Sequence, residues 1–232
     1  MGKGGKLVLK NVNDKKISKT EHNNNNNNNN NSNNNSTSIK QNRGLNCCWA
    51  KNKTTGLPCM NKKQELNAIP YCSKHLGKGD GAFSIKDHEI CGKILVANFD
   101  LPKGYKSVYF GTRKPIKMLN AHRQDYMLSF WKGGGVIDPQ DYLEGSKLQF
   151  MSNPGPNERS NVTCTDRMFG DTRDVGIVGR EYKCTDFIPK GTQLLQFYGH
   201  NWFSARGIKL VDCGTKKYPA PLRRRNKKPL EE

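Results

Sequence analysis

The chain has 232 residues, a formal net charge of +19 and only 34% hydrophobic residues. No apolar run reaches the ~18 residues that a membrane-spanning helix needs, which excludes that class of protein. The folded part amounts to one domain of ordinary size with a small satellite, because long polar stretches at both ends cannot bury a core.

Residues 1–44 are predicted to be a disordered arm. Asn23 to Asn31 are nine asparagines in a row, and such a tract cannot offset the entropy of being ordered. Its only apolar stretch, Leu7-Val8-Leu9, is too short for a signal-peptide core, so an intracellular, reducing location is expected, where disulfides are rare. Residues 1–46 carry eight basic and two acidic side chains, 47–78 six and one, 79–215 eighteen and fifteen, and 216–232 seven and two. The basic excess flanks a nearly neutral middle. That distribution suits contact with DNA or another polyanion through the flanks, and Arg223-Arg224-Arg225-Asn226-Lys227-Lys228 also fits a nuclear import signal.

Residues 45–78 hold Cys48, Cys59, Cys72 and His75. Three thiolates and one imidazole complete a tetrahedral shell for Zn2+, and a closed shell points to a structural rather than a catalytic metal. So small a segment would draw its folding energy from the ion. Cys47 competes with Cys48 for the first position. The segment resembles a Cys3His class with a Cys-x-Ala start and a Tyr-Cys-x-x-His end, and Cys48-Trp49-Ala50 and Tyr71-Cys72-Ser73-Lys74-His75 favour Cys48. The remaining cysteines, Cys91, Cys164, Cys184 and Cys213, are far apart in sequence and read as core or surface thiols.

From Lys93 onward, short apolar runs alternate with Gly and Pro, which predicts a mainly β domain. Strands are expected at 94–97, 107–111, 126–131, 136–138, 161–164, 175–178 and 194–198. The stretches near 113–125 and 141–152 could hold helix.

Four motifs in this region resemble the SET family, in the family's order. They are Gly92-Lys-Ile-Leu-Val-Ala97 leading to Leu101-Pro-Lys-Gly104; Tyr126-Met-Leu-Ser-Phe130 with Gly133–Gly135 and Val136-Ile137-Asp138; Gln149-Phe-Met-Ser-Asn153 running to Asn161-Val162; and Ile188-Pro-Lys-Gly191-Thr-Gln193-Leu194-Leu-Gln-Phe-Tyr198-Gly199. The resemblance implies a SET-like fold of several small sheets with a threaded, pseudoknot-like C-terminal segment over residues 85–208, and a basic tail over 209–232. It implies a lysine methyltransferase that uses S-adenosylmethionine, acts on a protein substrate such as a histone, and works in the nucleus, with a cytoplasmic target as the alternative location.

Residue roles follow from the same resemblance. Tyr198 matches the catalytic tyrosine. Gly92, Ile94, Leu95, Ser152, Asn153, Asn161 and Trp202 would hold the cofactor, and Tyr126, Phe130 and Tyr198 would form the channel for the substrate lysine. The chain departs from the family at three places. Ile94 stands where a second glycine is usual, the asparagine-histidine pair is replaced around Ser152, Asn153 and Pro154, and no Cys-x-Cys follows Tyr198. These departures leave open a second reading, a catalytically silent SET fold that serves as a chromatin-binding adaptor.

Overall fold

The computed structural model describes residues 46–115, 125–129, 135–170, 176–199, 201–215 and 218. Within them the chain is mainly β, with small antiparallel sheets and little helix, as the resemblance implies. Strands β1 (Phe83–His88) and β2 (Gly92–Ala97) form a hairpin. A second sheet is built from β3 (Lys106–Lys114), β4 (Leu128–Ser129), β5 (Val136–Asp138), β6 (Val162–Phe169) and β7 (Ile177–Cys184), in the order β4-β5-β3-β7-β6. Among the described residues one short α-helix, α1 (Ser73–Lys78), carries His75.

Strand β3 is buried without a break from Ser107 to Gly111, and its alternating side chains feed two cores. Tyr109 joins Ile137, Val178, Tyr182 and Leu194 in the larger core. Val108 and Phe110 point the other way, to Tyr71, Leu76 and Phe169 in a second core that includes Cys48 and Cys72. The cysteine-rich segment is therefore packed on the sheet and shares its core. Tyr71 is 1% exposed, and its hydroxyl both contacts Ser107 Oγ at 2.9 Å and accepts from Val108 N at 3.2 Å. Full burial of Phe110 alone stabilises this junction by about 2–3 kcal/mol. At Gly145 a β-carbon would lie 1.9 Å from Leu76 O, so only glycine lets this loop approach α1 so closely.

Strands expected near 94–97, 107–111, 136–138, 161–164 and 175–178 are present, the last two extending further than expected. β1 was not legible in the sequence, because its Lys86-Asp87 end is polar and exposed. In the 126–131 run only Leu128–Ser129 forms a strand, and Phe130 and Trp131 lie outside the described residues. The 141–152 stretch forms two 3-10 turns, Pro139–Tyr142 and Lys147–Phe150, and most of 113–125 lies outside the described residues.

Residues 194–198 form no sheet ladder. Gln193 bridges Val96 of β2, and Leu194 N donates to Leu95 O at 2.8 Å. On the other side, Ser152 N donates to Leu194 O, Gln196 N to Ser152 O, and Asn161 N and Val162 N both to Leu195 O. Asn161 is fully buried and completes the arrangement with its side chain. Its Nδ2 donates to Gln193 O at 2.9 Å, and its Oδ1 accepts from Leu195 N at 2.8 Å. Replacing Asn161 with Ala leaves both backbone groups buried and unpaired. Asn161→Ala is expected to destabilise the fold by about 2–4 kcal/mol, read as a lower urea midpoint with an unchanged slope. An unchanged midpoint would mean that this amide does not hold the segment.

Candidate functional site

Two cavities meet at the end of the 193–198 segment. The wider one, about 570 Å³, is walled by the β1–β2 turn at Cys91–Lys93, by Met151–Asn153, by Trp202 and Phe203, and by residues 208–213. Its size is that of a small-molecule site. The narrower one, about 110 Å³, is lined by Tyr109, Tyr126, Tyr182 and Tyr198 together with Met151 and Leu148. It has room for one extended side chain. Tyr126, Met151, Tyr198 and Trp202 belong to both walls.

Tyr198 is fixed at this junction from several directions. Its backbone N–H donates to Asn153 Oδ1 at 2.8 Å, and its hydroxyl donates to Met151 O. Trp202 packs edge-on to its ring at 5.1 Å, and Phe203 stacks at 6.3 Å. The residue is 37% exposed and lines both cavities, while its hydroxyl end is enclosed. That enclosure, with weaker contributions from nearby Cys213, Cys91 and tyrosines, pushes the Tyr198 hydroxyl well above its ordinary value. Burial does the same to Tyr109, whose hydroxyl donates to Tyr126 O, and to Tyr182. These three tyrosines are neutral at physiological pH. Their hydroxyl oxygens can accept hydrogen bonds, but they are not bases.

The residues expected at a cofactor site are distributed as follows. Gly92, Ser152, Asn153 and Trp202 line the wide cavity. Gly92 has φ of 69°, which suits glycine in the turn that forms the wall. Ser152 Oγ accepts from Gln193 Nε2 at 2.8 Å, and Asn153 Nδ2 donates to Pro154 O at 2.6 Å, so both side chains also brace the wall. Ile94 and Leu95 are buried at 7% and 0% exposure and do not line the cavity. Asn161 does not line it either, since both ends of its amide are taken by the 193–195 backbone. Tyr126 and Tyr198 line the narrow cavity, and Phe130 lies outside the described residues.

Several site residues were not anticipated. Tyr109 and Tyr182 sit on neighbouring strands with rings 6.2 Å apart; Tyr109 alternates with Val108 and Phe110 in one apolar run, and Tyr182 stands between Glu181 and Lys183, so neither showed which face it serves. Residues 209–213, assigned to the tail on sequence, form part of the cavity wall, and Tyr218 is buried in the larger core.

At the other core, the ligand atoms of Cys48, Cys59, Cys72 and His75 lie within 4.8 Å of one another. His75 Nδ1 is 3.4 Å from Cys48 Sγ and 3.3 Å from Cys72 Sγ, and Asn61 Nδ2 approaches Cys72 Sγ at 3.9 Å. This donor set and spacing fit a tetrahedral dication. Burial lowers the His75 imidazole below its ordinary value, which keeps it neutral and available as a ligand. Burial also pushes the Cys48 thiol up to about 12, so a cation is what would favour its thiolate form. Cys47 is only partly buried and pairs through its backbone with Lys62, outside the cluster.

No family model matches the sequence, and no curated protein is similar to it at a significant level. Solved structures similar to the chain include the methyltransferase domain of human PR domain-containing protein 2, with 19% identity, covering 64% of this chain and 96% of that one, at a TM-score of 0.40. KRYPTONITE in complex with mCHG DNA and SAH is similar at 18% identity, covering 56% of this chain and 26% of that one, with a TM-score of 0.40. A Plasmodium falciparum chain described as a candidate histone methyltransferase is similar at 13% identity, covering 53% of this chain and 96% of that one, with a TM-score of 0.39.

Proposed function

We propose that this chain is a protein-lysine methyltransferase of the SET type that uses S-adenosylmethionine, acts on a histone or another chromatin protein in the nucleus, and carries structural zinc on Cys48, Cys59, Cys72 and His75. The observation that carries this reading is the junction at Tyr198 of a cavity sized for a small molecule and a narrow tyrosine-lined passage. Such a junction lets a donor and a protein side chain approach from opposite sides without mixing.

S-adenosylmethionine, when bound, supplies a methyl group activated by a sulfonium. The wall at Gly92, Ser152–Asn153 and Trp202–Phe203 would hold it. The attacking lysine must be neutral, yet its free pKa is about 10.4. The enclosed passage disfavours the ammonium by desolvation, so the amine gives its proton to water on the way in. Tyr198 and Tyr109 donate their hydroxyl protons to backbone carbonyls, which leaves their oxygens able to accept the amine N–H and aim the nitrogen lone pair. Both hydroxyls stay protonated, so their work is alignment and dipole stabilisation rather than proton abstraction. Asn161 acts at a distance, as a positioning residue for the backbone that carries Tyr198. The basic flanks at 1–44 and 216–232 would add contacts to DNA.

Tyr198→Phe removes one hydroxyl and little volume. It is expected to lower labelled methyl transfer to mixed histones by about 100-fold, while calorimetry finds S-adenosylhomocysteine bound almost as tightly as by the wild type. Transfer at the wild-type rate would remove Tyr198 from the mechanism. No binding of S-adenosylhomocysteine by the wild type would instead favour the adaptor reading.

The metal makes a separate prediction. Protein purified without chelator is expected to contain one zinc ion per chain by elemental analysis, and Cys72→Ser or His75→Ala to lose it. Because Cys48 and Cys72 belong to the core shared with Val108 and Phe110, chelation should also lower the melting temperature of the whole domain. A metal-free wild type of full stability would sink the assignment.

A further inference from the structure

Cys91 and Cys213 are 122 positions apart in the chain, yet their Sγ atoms are 3.0 Å apart. Their separation along the chain gave no sign of this meeting. Cys91 lies in the β1–β2 turn and is partly exposed, and Cys213 is buried at 5% exposure. Both line the wide cavity.

Each partner is held in place independently. His88 Nδ1 accepts from Ile90 N and Cys91 N, both at 3.2 Å, which fixes the turn. On the other side, the buried Glu158 carboxylate accepts from Cys213 N at 2.7 Å, Thr215 N at 2.6 Å and Gly155 N at 2.9 Å. Cys213 Sγ also contacts Asn153 O at 3.2 Å. The pair is therefore positioned by the fold. A bond between the sulfurs needs them to close by only about 1 Å.

We propose that Cys91 and Cys213 are a site of reversible oxidation, and that their disulfide clamps residues 208–213 across the wide cavity. The clamp's effect on ligand exchange rests on the reading of that cavity as the methyl-donor site. The oxidant is a peroxide. The Cys91 thiolate, on the more exposed sulfur, attacks one peroxide oxygen and becomes a sulfenic acid; the hydroxide released takes up the proton the thiol gave off and leaves as water. Cys213 then attacks the Cys91 sulfur, and the hydroxyl leaves as a second water. Two thiols thus lose two electrons and two protons, which reduce hydrogen peroxide to two waters. A dithiol returns both electrons and both protons. Burial holds the Cys213 thiol above its ordinary value, so the more exposed Cys91 is the sulfur that meets the peroxide first.

The test uses the full zinc-loaded chain with limiting hydrogen peroxide, followed by alkylation and peptide mass analysis without reductant. A cross-linked peptide joining Cys91 to Cys213, reversed by dithiothreitol, is expected. Closing so long a loop should raise the melting temperature by roughly 5–10 °C. Release of S-adenosylhomocysteine should slow by about tenfold, the effect of holding a wall segment in its closed position. Cys91→Ser, at the more exposed partner, should abolish all three responses. Alkylation of both thiols after oxidation, or a different pairing, overturns the site. A cross-link with unchanged release overturns the clamp. A cross-linked, stabilised protein that binds no S-adenosylhomocysteine in either redox state sinks the donor-cavity reading and the clamp with it, while the thiol pair stands on mass and melting data.

Discussion

A buried stretch of backbone must pair its N–H and C=O groups, and residues 193–195 do this without belonging to a sheet ladder. Their partners come from three separate parts of the chain: Val96 and Leu95 on one side, and Ser152 and Asn161 on the other. The Asn161 amide is suited to this because it offers a donor and an acceptor on one short side chain, each matched to a different backbone group. Once the segment is held there, Tyr198 has little freedom left. Asn153 takes its backbone N–H, Met151 takes its hydroxyl proton, and the position of the aromatic cluster follows.

The same economy of polar groups shapes the narrow passage. Its hydroxyl protons are directed at Met151 O and Tyr126 O, carbonyls at its rim, so the passage carries phenol oxygens without an ionised group among Tyr109, Tyr182 and Tyr198. The acidic side chain on its wall, Asp125, is paired with Arg206 at 2.9 Å. Glu158 spends its carboxylate on three backbone N–H groups, and Asp80 takes Lys51 N, Ala82 N and the Tyr105 hydroxyl. These buried carboxylates tie loops together and lie outside the passage wall.

Much of this was legible in the sequence, for identifiable reasons. The β character of residues 93–184 followed from short apolar runs between Gly and Pro, and the cysteine-rich cluster followed from ligand types at close spacing, because both signals are local. The 194–198 segment was read as a strand because its apolar character is real, but its pairing is set by residues far away in the chain and leaves no periodic trace. Tyr109 and Tyr182 were hidden for a related reason. A strand buried on both faces shows no alternation, so the sequence could not say that Tyr109 faces one core while Val108 and Phe110 face the other. Asn161 stood out as a residue but not for what it touches. The meeting of Cys91 and Cys213 depends wholly on tertiary structure.

Strand β3, with its two faces in two cores, also has a consequence for the order of events during synthesis. The cysteine-rich segment leaves the ribosome well before the residues that cover it, since Tyr71 and Leu76 wait for Val108 and Phe110, and Trp49 waits for Phe169. A bound ion could tie its loops together early, but its apolar face stays open to water until β3 and β6 arrive. When Val108 and Phe110 dock on that face, the pleat turns Tyr109 to the opposite side, where the passage is still unbuilt. The nascent segment thus offers a template on which the half of the molecule that holds the Tyr198 cavities is laid down.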